Sequence, residues 1–314
     1  MKGTNWVISR RDFLKASGVC IASSVFGSLS SCSVSDSTLH SKNGRVRFGI
    51  VSDSHYADIK DSGSRYYRQS LDKMNECIEL MNSQNVDFVI ELGDLKDQNT
   101  PGIEEKTIEY LRTIENVFQK FNSATYHVMG NHDMDSISKE QFLANVKNTK
   151  ISSSNKYYSY DINGLHFIVL DSNYLKDGRD YDHGNFVWTN TNIPAEELAW
   201  LTKDVTGAKG AVIVFNHQLL DGTGDPYVKN ARDVRKILED SGKVLAVFQG
   251  HYHEGRYSLI EGIHYYTLKA MVEGPGQENN AYAVVDVHPD KTIVVKGYRK
   301  AVSRELGATA AVGV

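Results

Sequence analysis

Five short apolar runs in this sequence end in the same way. Phe48-Gly49-Ile50-Val51 leads to Asp53 and His55, and Phe88-Val89-Ile90-Glu91-Leu92 leads to Gly93-Asp94. Ala124 to Met129 leads to Gly130-Asn131-His132-Asp133. Val212 to Phe215 leads to Asn216-His217, and Leu245 to Phe248 leads to Gly250-His251-Tyr252-His253. Apolar runs of this length bounded by turn formers read as buried strands, and ligand sites in α/β sheets gather at the carboxyl ends of strands. Each motif alone is explained by a turn, a cap or a hydrogen-bonded histidine. Together they are not, because nothing structural requires metal-ligand side chains past five separate strands. Five of the eleven histidines fall there. Residues two apart in extended backbone point the same way, so Asp53 with His55 and His251 with His253 can each act as a pair. An amide oxygen next to an imidazole, as in Asn131-His132, suits metal-assisted phosphoryl chemistry: the amide ligates a cation while the imidazole reaches the phosphate or its leaving group.

Residues 45–300 are expected to form one large α/β domain, since roughly 255 residues suffice for it and no internal repeat interrupts them. Val46–Ser52, Val86–Leu92 and Ala124–Met129 read as strands separated by helices over Arg65–Ser83 and Ile103–Phe121, which implies parallel pairing. Asn163-Gly164 between Tyr157–Ile162 and Leu165–Leu170 signals a hairpin. Pro194 opens a helix over Ala195–Val205, as proline does at a first helical position. Ala211–Phe215, a helix over Lys229–Asp240 and Val244–Gln249 follow. Tyr257–Ile260, Ile263–Lys269, Ala281–Val287 and Thr292–Tyr298 read as a closing meander. So many strands exceed one sheet, and two stacked sheets with helices on both outer faces are expected. The tail at residues 301–314 is small and apolar and suggests no role.

Residues 1–31 read as an address rather than as fold. Ser9-Arg10-Arg11-Asp12-Phe13-Leu14-Lys15 matches a twin-arginine export motif, and Gly18–Leu29 is too short and polar to span a bilayer. Leu29-Ser30-Ser31-Cys32 resembles a lipobox, so Cys32 is the expected lipidation site and residues 32–44 a flexible tether. The expectation is an exported protein that meets the export machinery in transit and then the membrane through its N-terminal lipid only. Of the three cysteines, Cys77 alone remains free in such a mature chain. Losing the leader removes a net +3 and moves the formal charge from −4 to −7, which argues against nucleic acid as a partner.

The ordered series of motifs resembles the calcineurin-like metallophosphoesterase superfamily: Asp-x-His, Gly-Asp, Gly-Asn-His-Asp, His and Gly-His-x-His over nearly all of Arg45–Arg299. The resemblance implies a four-layer αββα sandwich of two mixed sheets. It also implies that Asp53, His55 and His253 hold one metal, that Asn131, His217 and His251 hold a second, and that Asp94 bridges them. Such ions sit about 3.5 to 4 Å apart and hold a bridging hydroxide that attacks phosphorus. His132 is then the catalytic imidazole and Asp133 a partner orienting its ring. Mixed N/O ligation suits two divalent ions of manganese, iron or zinc over calcium.

Several stretches are more similar to one branch, the manganese-dependent ADP-ribose/CDP-alcohol diphosphatases. They are Gly49 to Asp53 with Tyr56-Ala57-Asp58, Arg65 to Leu71, Trp200-Leu201 and Val287-His288-Pro289-Asp290-Lys291. That branch carries Gln at the position of His55, so the metal set here lies nearer the general superfamily pattern. The implied substrate is a small phosphate ester or nucleotide diphosphate. A phosphomonoesterase, a cyclic-nucleotide phosphodiesterase and a non-catalytic surface-binding lipoprotein are the alternatives. Arg65 and Arg68 near Tyr66 could grip a second phosphate and stack a base. The long polar and aromatic stretch Asn173–Asn192 reads as a substrate-shaping cap, with Arg179 or His183 facing phosphate.

Overall fold

The computed structural model describes residues 44–307. The leader, Cys32, nearly all of the tether and residues 308–314 lie outside the described residues. In chain order the first elements are β1 (Val46–Val51), α1 (Ser70–Gln84), β2 (Phe88–Glu91), α2 (Glu104–Phe118), β3 (Ala124–His127) and α3 (Lys139–Asn145). Then come β4 (Tyr158–Ile162), β5 (Leu165–Val169), α4 (Ala195–Gly207), β6 (Val212–Asn216), α5 (Ala231–Ser241) and β7 (Val244–Gln249). The chain closes with β8 (Arg256–Ile260), β9 (Ile263–Thr267), β10 (Ala281–Val287), β11 (Ile293–Arg299) and β12 (Arg304–Leu306).

These strands make two six-stranded mixed sheets, ordered β12-β11-β10-β1-β2-β3 and β4-β5-β6-β7-β9-β8. The expected parallel pairing holds in the first half, β1 with β2 and β2 with β3, and the second sheet is also parallel at β5 with β6 and β6 with β7. Side-chain alternation explains the layering. Phe48 and Ile50 of β1 and Phe88 and Ile90 of β2 face the other sheet, where they meet Phe167, Phe215 and Phe248. The Phe48 ring stacks on Phe88 at 4.9 Å and meets Phe215 and Phe248 edge-on at 5.7 Å. Each such ring, fully buried, contributes roughly 1.5–3 kcal/mol. The opposite faces are covered by helices. Met74, Ile78, Leu111 and Ile114 of α1 and α2 pack with Val89 outside the first sheet, and Leu201, Val205, Val234 and Leu238 of α4 and α5 pack with Val214 and Val247 outside the second. The fold is the αββα sandwich.

Four local differences have physical causes. The helix after β1 starts later than its periodicity suggests, because Arg65 exchanges backbone hydrogen bonds with Ser62 and Tyr66 donates to Val272 O at 3.0 Å, so only a 3₁₀ turn at Tyr67–Gln69 precedes α1. Pro194 caps α4 rather than entering it, with ψ 159°. The closing strands are not one meander: β8 and β9 form a hairpin in the second sheet, whereas β10 returns to the first and runs antiparallel to β1. Finally, α3 had no counterpart among the expected elements. Its signal was a capping box, in which the Ser138 hydroxyl accepts from Gln141 N and the Gln141 side chain accepts from Ser138 N. Part of the tail also has a place, since Arg304–Leu306 pairs antiparallel with β11.

Candidate metal centre

The carboxyl ends of β1, β2 and β3 in one sheet and of β6 and β7 in the other supply all the expected ligands. Asp53 and His55 follow β1, Asp94 follows β2 and Asn131 follows β3, while His217 follows β6, and His251 and His253 follow β7. The loops are tied together by backbone bonds that extend the strand pairing: Asp53 N to Gly93 O at 3.0 Å, His55 N to Asp94 O at 2.9 Å and Gly250 N to His217 O at 3.1 Å. Four of the seven expected ligands take left-handed backbone: Asp53 at φ 54°, His55 at 46°, Asp94 at 60° and His251 at 68°. Non-glycine residues there cost about 1–3 kcal/mol each, and such strain collects at functional sites. Close approach also fixes Gly130, where a Cβ would lie 2.2 Å from Asp94 Oδ1.

Among the described residues three groups of candidate ligand atoms emerge; one is His55, Asp97 and His132, and the other two carry the expected ligands. In Asp53, His55 and His253, and again in Asp94, His217 and His251, one ligand atom per residue lies within 4.8 Å of the others. Asp94 Oδ2 stands 3.1 Å from His217 Nε2 and 3.5 Å from His55 Nε2, so it faces both groups. The decisive observation for a cation is what these atoms lack. His55 Nε2, His217 Nε2, His251 Nε2 and Asn131 Oδ1 are buried without a hydrogen-bond partner. Buried polar atoms are normally paired, and these four all belong to expected ligands of one site. At His55, His217 and the neighbouring His253 the opposite ring nitrogen is already committed. His55 Nδ1 faces Asp97 Oδ2 at 3.2 Å, His217 Nδ1 donates to Leu92 O at 2.8 Å, and His253 Nδ1 bonds Glu273 Oε1 at 2.6 Å. Those outer bonds fix the tautomers that leave Nε2 free for a metal. The residues present therefore fit two divalent cations.

The electrostatics agree. Burial alone would raise the Asp53 carboxyl, but the facing imidazoles of His253, His55 and His217 hold it well below the usual range. Burial opposes charge on His217, yet Asp94 pushes that imidazole up to about 9. Burial likewise opposes charge on His253, which Asp53 and Glu273 push up to about 9. His251 goes the other way, down to about 3, through burial and the neighbouring charge of His217. Without cations, the buried carboxylates draw protons onto His217 and His253 instead.

The family model for calcineurin-like phosphoesterases matches residues 46–255, two thirds of the sequence and all of the motifs above. The chain belongs to this family. The manganese-dependent ADP-ribose/CDP-alcohol diphosphatase of Oryza sativa subsp. japonica is 27% identical over 292 residues, covering 79% of this phosphoesterase and 90% of that protein. The protein of the same name from Bos taurus is 26% identical over 317 residues, covering 82% and 93%. A dimetal phosphatase of Danio rerio shares the fold, with TM-score 0.72 and 21% identity over 84% of this chain and 99% of that one. This phosphoesterase is a hydrolase of phosphoric ester bonds that uses two divalent metal ions.

Other expected residues divide. His132 is at the site: its ring lies 4.7 Å from that of His55, and its backbone N–H donates to Asp94 Oδ1 at 2.7 Å. The carboxylate on its ring is Asp135, at 2.7 Å from Nδ1, and not Asp133. Asp133 instead accepts the backbone N–H groups of Gly130, Asp94 and Leu95 at 2.8–3.0 Å and braces the two loops. Arg65 reaches the rim, its Nη1 3.8 Å from Asp97 Oδ2, and Tyr66 lies beside it half-buried. Arg68 does not reach the site, because it pairs with Asp58 on the surface. Arg179 pairs with Asp177 in solvent, and His183 pairs with Asp182 and with Glu104 at 3.3 Å. All three basic side chains sit beside nearer acids than the site offers. The cap stretch does reach the centre, through Trp188, whose ring lies 5.5 Å from that of His251. Asp97, Asp135 and Glu273 were not anticipated. Asp97 follows Gly93-Asp94 by three residues and carried a local signal, whereas Glu273 comes from an irregular segment after β9 and carried none.

Proposed function

We propose that this phosphoesterase cleaves the diphosphate bond of small nucleotide-type substrates of the ADP-ribose or CDP-alcohol kind. Asp53, His55 and His253 hold one ion, Asn131, His217 and His251 the other, and Asp94 serves both. The observation that carries the substrate reading is Arg65, a guanidinium at the lip of the two ligand groups with 31% of its side chain exposed. A cation so placed meets a second phosphate when the first lies over the metals. The relatives named above support the same class. Bound ions would supply charge neutralisation on the phosphoryl oxygens and a water activated at neutral pH.

The chain's own groups do the rest. Asn131 presents a neutral oxygen, which leaves the bridging charge to Asp94. Asp135 holds His132 Nδ1, so the opposite ring nitrogen presents a proton to the leaving oxygen from a ring that is 28% exposed. Asp97, between His55 and Arg65, keeps the rim cation and a metal-ligating ring in fixed relation. The test is metal analysis of the purified protein coupled to a substrate panel. Release of a nucleoside monophosphate from ADP-ribose or a CDP-alcohol is expected, and turnover confined to monoesters or cyclic nucleotides overturns the substrate class.

We also propose that residues 1–31 direct export through the twin-arginine machinery and that lipidated Cys32 anchors the enzyme outside the cytoplasm. The order of basic, apolar and small residues before Cys32 supports this. Replacing Arg10 and Arg11 with Lys should retain the protein in the cytoplasm, and Cys32→Ala should release it from membranes. Unchanged fractionation of both variants rejects the proposal.

A further inference from the structure

Trp188 is half exposed beside a charged pocket, and the chain around it is held firmly. Tyr181, fully buried, stacks on Phe186 at 4.0 Å with planes 4° apart. Gly184 N donates to Met134 O at 2.9 Å and Asn190 N to Val187 O at 2.8 Å, while the Thr191 hydroxyl donates to Ser172 O. At the root of the loop, Asn173 Nδ2 donates to Met129 O at 2.7 Å, and Gln218 Nε2 donates to Asn173 Oδ1 at 2.6 Å. These bonds tie the loop to the same strand ends that carry Asn131 and His217. The loop therefore fixes an indole 50% open to solvent next to His251. Half of a large apolar ring is thus left in water beside a polar centre, a face that a planar partner can cover. Arg65 marks the opposite side of the centre, near the other ligand group through Asp97 and His55.

We infer that Trp188 is a specificity residue that stacks on the planar ring of the substrate, placing the nucleobase on the His251 side and the distal phosphate on the Arg65 side. The preference is for any flat heterocycle, because stacking is tolerant of base identity. This deepens the diphosphatase reading and rests on it.

The test compares metal-loaded wild type with Trp188→Ala and Trp188→Phe on ADP-ribose and on P1,P2-dimethyl diphosphate, which has no base. Trp188→Ala should raise KM for ADP-ribose far more than kcat falls, and cut the ratio of kcat/KM between the two substrates about tenfold or more. Trp188→Phe should recover most of that ratio, since a phenyl ring still stacks. Adding AMP should quench indole fluorescence of the wild type, and the quench should be lost in Trp188→Phe. An unchanged ratio in Trp188→Ala, or a quench that persists in Trp188→Phe, overturns the inference. If AMP quenches Trp188 while neither diphosphate is hydrolysed, stacking stands and the diphosphatase reading fails.

Discussion

At Asp94 a single carboxylate meets three demands: Oδ2 faces His217 and His55, and Oδ1 accepts the backbone N–H of His132. Asp94→Asn should therefore lose metal and activity together, measured by metal content and turnover on the same sample. His132→Ala separates binding from chemistry. It should keep both ions and lose roughly two to four orders of magnitude in kcat. The two acids beside His132 should part company as well. Asp135→Asn removes the negative charge facing the His132 ring and should lower kcat with little change in stability. Asp133→Ala leaves buried backbone N–H groups without an acceptor and should cost roughly 2–4 kcal/mol of unfolding free energy, read by denaturant titration of metal-free protein.

Two charged clamps, the first of them buried, join the elements. Lys139 on α3 is fully buried and donates to Asp171 at 2.6 Å and Asp180 at 2.9 Å, joining the end of β5 to the loop that bears Trp188. Its ammonium also lies 3.4 Å from the centre of the Tyr174 ring. Lys139→Met would leave buried Asp171 without its cation, while Asp180 keeps Lys156, and should destabilise by about 3–5 kcal/mol. The second clamp is His166 on β5, whose Nδ1 faces Asp161 and Nε2 faces Asp204 of α4, both at 2.9 Å. The Asp204 hydrogen bond leads the contributions that raise this imidazole above its ordinary value, against opposition from burial. The folded state thus holds its proton more tightly than the unfolded chain. The stabilisation is complete below about 6.5, the unfolded value, and is lost as pH rises through the raised folded value. Thermal melts of wild type against His166→Gln should show the wild-type advantage shrinking on that side.

For the molecule as a whole, metal binding and protonation compete for the same atoms. His217 and His253 are both pushed up to about 9 in the cation-free protein, after burial has opposed their charge. They hold protons at neutral pH and must release them to ligate. Affinity should therefore climb as pH rises from 7 towards 9. Calorimetry in buffers of different ionisation heat should register the protons released, and chelation should lower the melting temperature by the lost binding energy.

The sequence by itself determined which side chains could form the centre, because each follows an apolar strand and periodicity locates strand ends without reference to distant chain. It also determined the Asn163-Gly164 hairpin, borne out by the antiparallel β4–β5 pair with both turn residues at positive φ. Tertiary structure alone decided that Asp135 rather than Asp133 holds the His132 ring, that Glu273 backs His253, and that Trp188 rather than Arg179 or His183 reaches the centre. It also decided that β10 returns to the first sheet. These outcomes depend on irregular segments, where no repeat ties a residue's number to its direction and the nearest opposite charge or free acceptor settles each side chain.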